Sequence, residues 1–399
     1  MKDEQPAEKT GRKWHVPLLV WIGLVVAALA VALHRVPKKP SENDLKGIQP
    51  PTTQSLAGGT ALRGLATELY CDDPDTGFEK KLRELAAMRT QVVCISVRGV
   101  QEDVKASRVF IDSNRGTPNP RALVRIIRRA RELGMQVVVL PIVLLWDVNA
   151  SDDWRGIIEP RRWDRWWESY ERFIVHYARL AQEGGAEVLC VGSELIRTEH
   201  MRDRWLDVIR AVRAVYAGKL TYSANWDHYR EVTFWDALDL IGMTAYHRLT
   251  RDKAPTLDEL RAAWKKIRAE ILGWQREQGK RIVFTEVGYP SQDGCARDPW
   301  NYYGSDTVDL YEQYVCLQAF FETWRDEPAV HAICIWKWDG EGGMTDRNYT
   351  PKGKPAEQLL RRWILGGPLG DPPPIPPPPR THTADDGFVR RNGGVDLNE

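Results

Sequence analysis

The chain has 399 residues, with 56 Lys and Arg against 55 Asp and Glu, a formal net charge of +1. That balance argues against a nucleic-acid binder working through a general basic field. A hydrophobic fraction of 43% excludes wholesale disorder. Six Cys stand singly at 71, 94, 190, 295, 316 and 334. None has the spacing of a structural zinc, thioredoxin or iron–sulfur site, so no metal and no cofactor is expected. The 17 Trp fit two uses, apolar packing and the flat aromatic faces of a sugar-binding cleft.

In chain order, residues 1–13 are polar and basic, with Lys9, Arg12 and Lys13. Val16 to Leu33 follow as 18 residues without a charge, near the minimum for crossing a bilayer core. Residues 14–34 are therefore expected to be an uncleaved signal-anchor, with the bulk of the chain outside the cytoplasm of a bacterium. A cleaved signal is the alternative, and would leave a secreted domain. Residues 35–60, with Pro50-Pro51-Thr52-Thr53, read as a flexible tether. Residues 367–399 begin with a Pro-rich run, DPPPIPPPP from Asp371, that favours extended polyproline backbone, and read as a disordered tail. The folded unit is expected at 61–366.

Within that unit, strand-length apolar runs occur at Gly64–Cys71, Val92–Val97, Gln136–Leu145, Glu187–Val191, Leu220–Ala224, Leu238–Ala245, Arg281–Thr285 and His331–Trp336. Helical periodicity fills Phe78–Met88, Pro120–Leu133, Arg162–Gln182, Met201–Tyr216, Leu257–Gln278, Thr307–Trp324 and Ala356–Ile364. Leu123, Ile126, Ile127 and Ala130 illustrate the three-and-four spacing. The strands are nearly continuous in apolar character, as when both faces are covered. Eight strands alternating with helices predict a single (β/α)8 TIM barrel of class α/β, monomeric in its catalytic domain. An open doubly wound sheet would need a Gly-rich phosphate turn after the first strand, and Leu69-Tyr70-Cys71-Asp72-Asp73 has none.

In such a barrel, chemistry sits at the carboxyl ends of strands. Glu194 ends the fourth in Val191-Gly192-Ser193-Glu194-Leu195, and Glu286 the seventh in Phe284-Thr285-Glu286-Val287-Gly288-Tyr289. Each alone fits a strand-end carboxylate that pairs with an Arg or caps a helix. Together, strands four and seven face one another across the mouth. Two carboxylates there can divide glycosidic cleavage, one protonating the leaving oxygen, the other attacking the anomeric carbon or activating water.

Several further stretches share an order and spacing: Trp154-Arg155-Gly156-Ile157-Ile158, the helix of Trp163 and Trp167-Glu168-Ser169-Tyr170, VGSEL at 191–195, Leu220 to Trp226, Asp239 to Tyr246, FTEVGYPS at 284–291, and Tyr349 to Ala356. Through these the sequence resembles glycoside hydrolase family 113, whose known members are β-mannanases within the retaining (β/α)8 clan A. The resemblance covers most of 61–366. It implies that Glu194 is the acid/base and Glu286 the nucleophile, that Tyr246 hydrogen-bonds the nucleophile, and that Trp336 floors the sugar site. The substrate it implies is β-1,4-mannan or another exported β-glycan. Two departures stand out. Ser193 occupies the place where most of the clan has the Asn that binds the sugar 2-hydroxyl, and the third strand ends in the apolar Pro141-Ile142-Val143-Leu144-Leu145-Trp146-Asp147.

Other positions carry two readings each. Trp163 and Trp167 share a helix face and favour core over sugar platform. Trp154, with Arg155, sits in the preceding loop and is the better ligand candidate. Trp336 and Trp338, two apart, are expected on one strand face, with one of them reaching the mouth. Asn225 and Trp226, ahead of Asp227, fit either sugar contact or plain loop entry. Glu199-His200 with Asp203 is expected to be a solvated helix start. No G-x-S-x-G or P-loop is present. Cys94, Cys190 and Cys334 are expected as buried thiols, and a Cys295–Cys316 disulfide stays open. A glycan-binding barrel without catalysis is the runner-up from another class; retention of both carboxylates favours the enzyme.

Overall fold

The computed structural model describes residues 61–69, 74–148, 153–251 and 254–375. The expected anchor and tether lie outside the described residues. So do Cys71 and residues 376–399 of the expected tail. Among the described residues no helix is long and apolar enough to cross a membrane.

Eight strands close into a parallel barrel in sequence order: β1 Leu62–Glu68, β2 Val92–Gln101, β3 Gln136–Leu145, β4 Val188–Ser193, β5 Lys219–Ala224, β6 Ile241–Thr244, β7 Ile282–Val287 and β8 Val330–Ile335, with β8 pairing back onto β1. The surrounding helices are α1 Pro74–Ala87, α2 Pro120–Glu132, α3 Trp163–Gly184, α4 Arg202–Arg213, α5 Leu257–Gln278, α6 Leu310–Trp324 and α7 Pro355–Ile364. Between β5 and β6 the described helical structure is one 3-10 turn at Trp235–Ala237. The alternation read from the sequence is thus the (β/α)8 barrel.

The local causes are visible in the helices. In α2, Asn119 caps the first turn by accepting from the amides of Arg121 and Ala122 at 3.0 and 3.4 Å, and Pro120 opens the helix. Its apolar stripe, Leu123, Val124, Ile126, Ile127 and Ala130, is buried, while the Arg residues between them leave the core. Helix α5 begins with a full capping box between Thr256 and Glu259.

Strand alternation separates two apolar clusters. Ala66, Cys94, Val138, Leu140, Cys190, Val283 and Cys334 belong to the smaller one, inside the barrel. Leu65, Val93, Ile95, Val139, Leu189 and Phe284 join the larger one, between strands and helices. Most of the Trp serve that outer layer. Trp166 is fully buried, stacks on Tyr170 at 4.8 Å, and donates to Gln101 Oε1 at 2.7 Å. Removing about 200 Å² of ring from water contributes about 5 kcal/mol per such residue by area. Trp167 is buried in the same layer and Trp163 packs against it. The packed region also runs past residue 366. Leu369 is buried, and the carbonyl of Gly370 accepts from Gln318 Nε2 at 2.8 Å.

Candidate active site

Both strands bearing the expected carboxylates break their ladder register beside them. The β4–β5 pairing shifts between Cys190 and Ser193, and the β7–β8 pairing between Phe284 and Val287. Glu194 then takes the left-handed backbone region at φ 52°. A non-glycine residue there costs of order 1 kcal/mol or more and persists when its surroundings hold it. They do so here. The amide of Glu194 donates to the Ser223 carbonyl, and the amide of Leu195 to the Tyr222 hydroxyl, each at 2.8 Å. Gly192 clears the space behind, because a Cβ there would come within 2.6 Å of the Tyr170 hydroxyl.

The two carboxylates are buried and hang from a single strand segment. Thr244 Oγ1 donates to Glu194 Oε1 at 3.1 Å, and two residues on, the Tyr246 hydroxyl donates to Glu286 Oε2 at 2.9 Å. Thr244 is the last residue of β6 and Tyr246 lies two beyond it, so this one stretch of chain supplies one donor to each carboxylate. Arg155, on the 3-10 turn Arg155–Ile157, forms an ion pair with Glu194 through Nη2 and Oε2. Burial, and then the charge of Glu194, push Glu286 up to about 8, while Arg155 and the Tyr246 hydroxyl pull the other way. Burial and the charge of Glu286 hold the Tyr246 hydroxyl far above the ordinary phenol range, so it stays a donor.

The remaining expected residues distribute unevenly. Trp336 is half-buried on the inner cluster just past β8, and a cis peptide joins it to Lys337. Trp338 corrects the shared-face expectation: β8 ends at Ile335, alternation stops, and Trp338 is buried in the outer layer. Its indole donates to Glu84 Oε2 of α1 at 2.8 Å. Trp154 is partly buried and lies over Gly156, where a Cβ would meet its ring at 2.2 Å. Asn225 Nδ2 donates to Asp227 at 2.6 Å. Trp226 stacks on Trp300 with centroids 5.5 Å apart and an interplanar angle of 17°.

Other groups were not singled out from the sequence. Thr244 is one. Trp300 and Tyr302, on the loop after β7, are two more; Tyr302 lies 6.2 Å from Tyr349, whose ring lies 6.1 Å from Tyr246. The Lys337–Glu68 ion pair joins the ends of β8 and β1. Glu199 is a correction. It is buried rather than solvated, accepts from the Tyr222 hydroxyl at 2.8 Å and faces His228 Nδ1 at 3.6 Å. Lys354, from the Tyr349 to Ala356 stretch, has a fully buried ammonium bonded to Ser291 Oγ, Asp346 and the Asn348 carbonyl at 2.7–2.8 Å. It ties that stretch to FTEVGYPS and does structural work. Cys295 and Cys316 are buried free thiols.

A closed parallel barrel with two buried carboxylates at the carboxyl ends of strands four and seven, each held by its own donors, is the architecture of a two-carboxylate glycoside hydrolase. Residues 74–354 match the model of Glycoside Hydrolase Family 113, and the chain belongs to that family. No curated protein matches the chain. Among solved structures, it is similar to the GH113 β-mannanase AaManA from Alicyclobacillus acidocaldarius in complex with ManMIm, at 26% identity and TM-score 0.68, over 78% of this chain and 98% of that one. A GH113 β-1,4-mannanase complex aligns at 24% identity and TM-score 0.68 over 76% and 98% of the two chains. A β-glucuronidase from Ruminococcus gnavus shares the barrel at 13% identity and TM-score 0.51, over 76% of this chain and 50% of that one.

Proposed function

We propose that this glycoside hydrolase cleaves β-1,4-mannan by double displacement, with Glu194 as acid/base and Glu286 as nucleophile. The observation that carries the reading is the Tyr246 hydroxyl on Glu286, matched two residues earlier by Thr244 on Glu194. Burial and the charge of Glu194 push Glu286 up to about 8, so the site retains a proton near neutral pH. One proton is what the reaction needs, an acid and a nucleophile at once. The Tyr246 hydroxyl favours the charge on Glu286, and so does the field of Arg155, whose direct partner before substrate arrives is Glu194. A glycosidic oxygen arriving at Glu194 supplies that carboxyl with a proton acceptor, so the proton serves the leaving group there. Glu286 then attacks the anomeric carbon. In the second step Glu194, now a base, activates water, which releases the sugar with its original configuration.

The aromatic groups extend the reading. Trp336, half-buried against the inner cluster with its amide on the carbonyl of Val287, offers one ring, and the Trp226–Trp300 stack a second surface after β5 and β7. Mannan as the substrate is supported by family membership and by the mannanase similarity at 24–26% identity. The apolar run Val16–Leu33 belongs to the same proposal, as an anchor that keeps the barrel outside the cytoplasm and near an exported polysaccharide. The test is a screen of the purified full chain in detergent on β-mannan, cellulose, xylan and galactan, with product sizes. Release of oligosaccharides from mannan above the other three is expected. Preference for another of the four would overturn the mannan assignment, and silence on all four would favour a binding role.

A further inference from the structure

We propose that Cys295 and Cys316 are a cross-linking site, oxidised to a disulfide that staples the loop after β7 to helix α6. The two sulfurs and a carboxylate oxygen of Glu312 all lie within 4.8 Å of one another. Their approach has a clear cause. Glu312 and Cys316 are four apart on α6 and share one face of it. Glu312 accepts from the amide of Gly294 at 2.7 Å and from the amide of Ala296 at 2.8 Å, the residues on either side of Cys295. The carboxylate therefore seats Cys295 one helical turn from Cys316. Asp309 in turn caps α6 by accepting from the Glu312 amide at 2.7 Å, which orients that turn.

The barrel's other thiols supply the contrast. Cys94 on β2 and Cys334 on β8 also approach one another inside the barrel. Both flank β1, with Cys94 opposite Ala66 and Cys334 opposite Gly64. Each is fixed in the regular ladder of its own strand with β1 between them, so closing a disulfide there would bend both ladders. The Cys295 loop is an irregular segment against a helix and is under no such constraint. It also carries Trp300 onto Trp226 and Tyr302 toward Tyr349, so a staple at its root fixes the aromatic groups of this loop.

The oxidation balances against a disulfide-bearing oxidant, either a small-molecule disulfide or a protein of the thiol–disulfide oxidoreductase class. One thiolate of the pair attacks the oxidant's disulfide and releases one thiol. The second attacks the resulting mixed disulfide and releases the other. Two S–H bonds break, one Sγ–Sγ bond forms, and two electrons with two protons leave on the reduced oxidant. Both thiols are buried in the finished fold, so the exchange takes place during folding, before α6 seals the loop. Once formed, the cross-link is shielded from reductant.

The test uses the full chain, folded in the presence of oxidised glutathione, then denatured with N-ethylmaleimide and digested with trypsin without reductant. The expected product is peptide 282–297 joined to peptide 298–325, lighter than the sum of the two by two hydrogens and absent after reduction. Cys94, Cys190 and Cys334 should all be recovered alkylated. Recovery of Cys295 and Cys316 as alkylated residues, or of either joined to Cys71, would overturn the proposal. So would a stoichiometric metal ion found by elemental analysis that protects both thiols from alkylation in the native protein. Cys316→Ser should abolish the cross-link. Because the decisive reading comes from the unaltered chain, poor folding of that variant leaves the test intact, and the mass readout is independent of which glycan the enzyme cleaves.

Discussion

Replacing Tyr246 with Phe removes one hydroxyl and nothing else from the site. The lost group donates to Glu286 Oε2 at 2.9 Å in a buried setting. A hydrogen bond to a charged partner contributes about 1.5–3 kcal/mol. The bond favours the ionised carboxylate over the protonated one, so its loss falls on the free energy of readying Glu286 for attack. At 1.36 kcal/mol per tenfold, kcat/KM should drop by about 10- to 150-fold. The pH profile supplies the sharper reading. The Tyr246 hydroxyl pulls Glu286 down against burial and the charge of Glu194, which push it up to about 8. Without the hydroxyl, the proton shared by the pair is held more tightly. Both limbs of the kcat/KM profile should therefore move to higher pH, the alkaline one from a starting position set by the last proton of the pair. The assay is initial-rate kinetics on a mannooligosaccharide from pH 4 to 10. A variant within about twofold of the parent, with unmoved limbs, would refute the role given to Tyr246.

Three further outcomes are expected. Arg155→Met should lower kcat/KM more than about tenfold and raise the alkaline limb, because the cation that holds Glu194 and favours ionised Glu286 is gone. Lys354→Met should lower the thermal midpoint, since breaking a buried ion pair costs about 3–5 kcal/mol, yet leave the pH limbs in place. Glu194→Ala should keep substantial first-step rate on an aryl mannoside with an acidic phenol and yield a β-glycosyl azide with added azide. Glu286→Ala should lose both activities and give the α azide, and the opposite pairing of products would reverse the two roles.

The barrel was legible because its strands are buried on both faces and its helices on one, a contrast that survives in single-sequence periodicity. The two carboxylates were legible because each directly follows an apolar run. Thr244 was within reach of the same logic, standing two residues before Tyr246, but its partner comes from β4, fifty positions away. Trp338 departs from the face of Trp336 because regular strand, and alternation with it, ends at Ile335. Glu199 sits among charges in sequence and is buried only because Tyr222 and His228 reach it from β5 and the loop behind it. Trp300 and Tyr302 lie in an irregular loop with no period to follow, and no local pattern ties Arg155 to Glu194, which the fold sets against it.

The most direct measurement is a proton NMR time course of mannohexaose hydrolysis, read at the anomeric signals before mutarotation. Glu194 and Glu286 acting as acid/base and nucleophile predict that the β reducing-end product forms first and the α anomer grows in later. First formation of the α anomer would mean inversion and would contradict the double displacement assigned to this pair.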